Sequence, residues 1–70
     1  MRCRFSLFPK SSGSGYELWC HDTEEARDFP SIVTAVLHAE TANHYQEGIV
    51  RLHDLDGRIV ERIPLQWLAD

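Results

Sequence analysis

Two cysteines and four histidines are the side chains of this 70-residue chain best suited to chemistry. Structural zinc presents close ligand pairs, such as C-x-x-C or H-x-x-x-H. Here Cys3 and Cys20 are far apart, and His38 and His44 stand six apart on a predicted helix, so they face different ways. The spacing therefore predicts no metal site and no cofactor. His21-Asp22 and His53-Asp54 each set a base beside a carboxylate. Asp22 is better explained as a cap, and Asp54 as the first residue of a turn. The Gly- and Ser-rich run Lys10–Gly15 would cradle a phosphate only if a helix followed it, and a strand pattern follows instead. There is no nucleophile-elbow pattern and no phosphate loop. No residue is assigned a catalytic role, and the expectation is a non-enzymatic protein.

The cysteines carry one structural possibility. If Leu7 pairs with Tyr16 across a hairpin, then Phe5 faces Leu18 and Cys3 faces Cys20, and directly opposed Cβ atoms reach disulfide distance. The alternative is two buried reduced thiols, as a reducing compartment favours. Among the aromatics, Trp19 shares a strand face with Glu17 and His21, away from Leu18. An exposed Trp on a polar strand is a common interface anchor; the other reading packs it under the tail or the long loop. Arg2 and Arg4 with Trp19 make a small cationic and aromatic patch of the kind that holds single-stranded nucleic acid. The formal charge of −4 with neutral histidines argues against a general nucleic-acid binder, which needs a basic footprint.

These residues are positioned by elements legible in the pattern. Ser31–Tyr45 is the one stretch long and periodic enough for a helix. Pro30 precedes it, Ser31 is its predicted N-cap, and Gly48 its predicted stop. Ile32, Val33, Val36 and Leu37 form a broad apolar stripe expected to be core, and Ala35, Ala39 and Ala42 let another surface come close. Arg2–Phe8 and Tyr16–His21 alternate as half-buried strands joined in a hairpin. Asp22–Glu25 is a turn or one helical turn, and Ala26–Phe29 an extended link or minor strand. Ile49–Asp54 and Arg58–Pro64 form a second hairpin through Asp54-Leu55-Asp56-Gly57, a type I turn closed by a left-handed Gly. Its expected register sets Arg51 opposite Glu61 and Ile49 opposite Ile63. That leaves apolar residues on both faces of the hairpin, to be covered by the tail Leu65-Gln-Trp-Leu68 or by a second subunit.

From Gly15-Tyr16, through Phe29 and Ala35 with Ala39, to Asp56-Gly57-Arg58-Ile59, the order of features resembles short bacterial α+β domains of unknown function. The likeness covers most of the chain. It implies a compact α+β fold and transfers no catalytic residue.

The expected architecture is one α+β domain over residues 1–70: ββαββ, an antiparallel sheet with one helix packed on one face. A chain this short buries only about 60% of its unfolded surface, so a second subunit is the expected source of added stability. The expected partner is a second copy of the chain, with another protein partner possible. Trp19, Leu65, Trp67 and Leu68 are the interface candidates. No apolar run is long enough to cross a bilayer, and the N-terminus lacks the features of a signal peptide, so a cytoplasmic location is expected.

Overall fold

A computed structural model describes residues 3–42 and 48–65. Three strands come first: β1 (Cys3–Pro9), β2 (Tyr16–Cys20) and β3 (Glu25–Phe29). Helix α1 (Ile32–Ala42) follows, then β4 (Gly48–His53) and β5 (Ile59–Leu65). The strands make one sheet in the order β3-β2-β1-β4-β5. The α+β class is as expected, but the topology differs in two ways. Three strands precede the helix, and the sheet is mixed, because β1 and β4 pair in parallel. A parallel neighbour needs a crossover rather than a tight turn. The segment containing α1 supplies it, carrying the chain from the β3 edge across one face to the far side of β1. β3 pairs with β2 along its whole length. Its sequence, Glu-Ala-Arg-Asp-Phe, hides it from a hydrophobic-pattern reading, because edge strands are commonly charged to block pairing with other chains.

The helix begins as its sequence requires. The Thr34 N–H donates to Ser31 Oγ at 3.2 Å, and the Ser31 N–H donates back to Thr34 Oγ1 at 3.3 Å. Two otherwise orphan donors are thereby satisfied. The face that α1 buries is not the one expected. Ala35 and Ala39 are fully buried, with Ile32 and Val36 packed beside them, whereas Val33 is 67% exposed and Leu37 57% exposed. The apolar stripe was wider than the contact, and the small alanines occupy its centre because they let the backbone lie close to the sheet. Gly48 opens β4.

Both hairpins differ in register from expectation. In the first, Leu7 pairs with Leu18 and Phe5 with Cys20. The loop between them closes through Lys10 N–H to Gly15 O at 3.0 Å. Gly15 has φ +97°, and a Cβ there would lie 2.6 Å from the Phe29 carbonyl oxygen, so β3 can lie against this corner only over a glycine. In the second hairpin the turn is as expected: Gly57 N–H donates to Asp54 O at 3.0 Å, Asp54 N–H to Arg58 O at 2.9 Å, and Gly57 has φ +87°. Beyond it a bulge at Leu52/His53 shifts the ladder by one residue. Arg51 therefore faces Arg62 rather than Glu61, and Val50 rather than Ile49 faces Ile63. A slip of one residue moves a whole strand's side chains to the other face. Here it collects Val50, Ile63 and Leu65 on the helix side and Arg51 and Arg62 on the other, where Ile49, Ile59 and Pro64 remain as apolar residues. The core is Phe5, Leu7, Leu18, Val50 and Leu65 under Ala35 and Ala39.

Candidate functional site

The helix covers one face of the sheet, and the register defines the residues of the other. Its middle row runs Ala26, Trp19, Ser6, Arg51, Arg62 from β3 to β5. A neighbouring row runs Asp28, Glu17, Phe8, His53, Ile59, where the last two steps follow from the stacked rings of Phe8 and His53 and from the His53–Ile59 pair. On the other side of the middle row stand His21, Arg4, Ile49 and Pro64. Three arginines thus gather over β1, β4 and β5, and two carboxylates over β2 and β3. Trp19 is where the sequence placed it, on the face away from Leu18, and it is half-buried.

Ser6 sits at the middle of this face and is only 4% exposed. Its hydroxyl and His21 Nε2 are joined by a 2.8 Å hydrogen bond. A serine and a histidine at this distance could form a nucleophile–base pair. Burial on the central strand leaves Ser6 little room for a substrate, and among the described residues no carboxylate bonds to the ring of His21 to orient it. The pair satisfies a buried hydroxyl instead. His53 stacks on Phe8 with ring centroids 4.4 Å apart, and its Nδ1–H donates to the Gly57 carbonyl at 3.0 Å. That bond fixes the ring against the turn, and its Nε2 is buried with no hydrogen-bond partner among the described residues. Trp19 and His21 meet edge to face at 6.3 Å.

The other sequence candidates are dispersed. Leu65 is 1% exposed in the core, opposite Gly48, so it is a packing residue and not an interface anchor. Trp67 and Leu68 lie outside the described residues. Cys20 is a free, half-buried cysteine on the helix side. Phe5, not Cys3, is its cross-strand partner, and Cys3 pairs instead with Gly48 of β4. The direct opposition that a Cys3–Cys20 bridge was drawn from is therefore absent. Among the described residues no three His, Cys, Asp or Glu side chains converge in a metal-binding group, and no helix is long and apolar enough to cross a membrane. The arginine group was missed because Arg51 and Arg62 fall on one face only after the bulge. Nothing in the run Ile59-Val60-Glu61 marks where the bulge lies.

No family model, curated protein or solved structure matches the chain.

Proposed function

We propose that the protein is a non-enzymatic assembly module that forms a homodimer through the helix-free face of its sheet. The observation that carries this reading is the self-complementary pattern of that face. A two-fold axis lying along β1 superposes β4 and β5 of one subunit on β2 and β3 of its partner. Each Arg51 then meets a Trp19 across the interface, a cation–π arrangement. Each Arg62 comes beside Ala26, with Asp28, which Lys10 holds at 2.6 Å, in the next row. Ser6, small and central, falls on the axis, where two sheets must approach to about 10 Å. Five strands spaced about 4.8 Å apart and some 20 Å long offer about 1,000 Å² for the pair, which reaches the lower bound for a specific interface. A small core under one helix gives a further reason to use this face.

Light scattering on a sizing column tests the reading directly. The unmodified chain is expected to elute as a dimer at tens of micromolar. Arg62→Glu should weaken the dimer, and adding Asp28→Arg should restore part of the loss. A monomeric unmodified chain, or a double variant weaker than the single one, would refute this pairing.

A second reading has its own observation. Arg51 and Arg62 are direct cross-strand partners, and like charges so placed repel unless an anion lies over them. With Arg4 and the aromatic surface of Trp19, they suit the phosphates and bases of a single-stranded nucleic acid. A labelled oligothymidylate at low salt tests it. Binding whose affinity falls with salt, at a slope of about −2 for three arginine–phosphate contacts, would favour this reading. No binding at low salt would remove it.

A further inference from the structure

A cleft of about 260 Å³ opens on the helix side of the sheet, between α1 and the strands β2 and β3. Its floor is apolar: Phe5 and Leu18, both buried, with the half-buried thiol of Cys20. Its rim is charged. Glu25 and Arg27 stand side by side on β3, as cross-strand partners of Cys20 and Leu18. They lie two residues apart on one face of the strand, about 7 Å along it. Asp22 lines the cleft from the β2–β3 turn, and His38 lines it from the helix. His38 in turn rests against Phe29, with ring centroids 5.1 Å apart. One end of the rim is therefore acidic, and the other carries the guanidinium and imidazole.

From this arrangement we infer that the cleft is a binding site for a free α-amino acid with an apolar side chain. The ammonium lies against Glu25 and Asp22. The carboxylate accepts hydrogen bonds from the Arg27 guanidinium, the group best shaped to hold a carboxylate in two-point fashion. The side chain points inward from β3, over Cys20 and Leu18, towards Phe5. Two interstrand spacings separate β3 from β1, roughly 10 Å, which leaves depth for a branched aliphatic side chain. Two features make the rim more than a polar edge. Glu25 and Arg27 occupy helix-side positions, where β1 and β2 carry apolar residues, and neither is ion-paired to another described residue. Both side chains are exposed at the rim, above the apolar floor of the cleft. The site lies on the opposite side of the sheet from the proposed dimer surface and does not depend on it.

The test uses the full chain and L-leucine, with isoamylamine and isocaproate as the same skeleton lacking the carboxylate or the amine. Iodoacetamide alkylation is followed at Cys20 by peptide mass spectrometry, so that Cys3 is read separately. Leucine at ten times its dissociation constant should slow alkylation of Cys20 about tenfold, by simple occupancy. The amide signals of Cys20, Glu25 and Arg27 should shift with the same midpoint. The amine and the acid should each bind about tenfold more weakly, as should leucine to Arg27→Gln, the scale of one charge-assisted hydrogen bond, so that at the same concentration alkylation slows only about twofold. Equal protection by isoamylamine would overturn the amino-acid assignment. Unchanged alkylation and unchanged amide signals at millimolar leucine would overturn the site itself.

Discussion

Phe5 and Ser6 are neighbours on the central strand, and both are buried, but they belong to different kinds of surface. Phe5 faces α1 and packs among Leu7, Leu18 and Val50, so the subunit itself buries it. Ser6 faces away from the helix and is enclosed by the long side chains expected to flank it, Trp19 and Arg51, and by His21 bonded to its hydroxyl. One face is closed by apolar volume. The other is roofed by side chains whose outer surfaces remain available. Among the described residues one helix covers one face of the sheet only, and the difference between Phe5 and Ser6 is the local form of that arrangement. The helix face should carry the stability of the subunit, and the open face its interactions.

Substitutions separate these roles. Phe5→Ala should cost about 3–5 kcal/mol in chemical denaturation, the range for truncating a buried aromatic. Ser6→Ala should cost only about 1 kcal/mol, for one hydrogen bond. Comparable losses at the two sites would mean that the open face is as much a core as the covered one. Gly15→Ala should cost about 2 kcal/mol or more, because the left-handed backbone disfavours a side chain and the new Cβ would meet the Phe29 carbonyl. A silent Gly15→Ala would mean that β3 is held less closely than its ladder indicates. Ser31→Ala should cost about 1 kcal/mol, the usual loss for an N-cap hydroxyl. Leu37→Ala should change subunit stability by less than about 0.5 kcal/mol, as an exposed position does, although the same change in a core stripe would cost several. A large effect at Leu37 would show that the helix presents a different side to the sheet.

How much of this was legible in the sequence follows from the range of each signal. The Ser31 cap and the Asp54–Gly57 turn are local: a hydroxyl three residues from the amide it accepts from, and a glycine where φ is positive. Both stand in the structure as read. The alternation of Cys3, Phe5 and Leu7 marked the correct face of β1. The pairing partners were not legible, because register depends on contacts far apart in sequence. A two-residue shift in the first hairpin kept every residue on its expected face, so nothing in the pattern could expose it. In the second, the bulge moved Arg62 to the open face and Ile63 to the core. The same shift of partners created the arginine group and left it beside Ile49, Ile59 and Pro64 on the open face. The parallel pairing of β1 with β4 has no sequence signature apart from the crossover helix. Leu37 misled because a stripe of four large apolar residues outweighs two alanines on a hydrophobicity scale, while close packing favours the alanines.

The proposed role of the open face turns on whether it holds two copies of the chain together. Sedimentation velocity of the unmodified chain and of Trp19→Glu, with the unfolding midpoint of each, measures it. The unmodified chain should sediment as a dimer. Trp19→Glu, which places a carboxylate where a central aromatic anchor stood, should weaken the dimer by at least 2 kcal/mol or about thirtyfold, while secondary structure is retained. An unmodified chain that is monomeric at tens of micromolar, or a Trp19→Glu variant that remains fully dimeric, would contradict it.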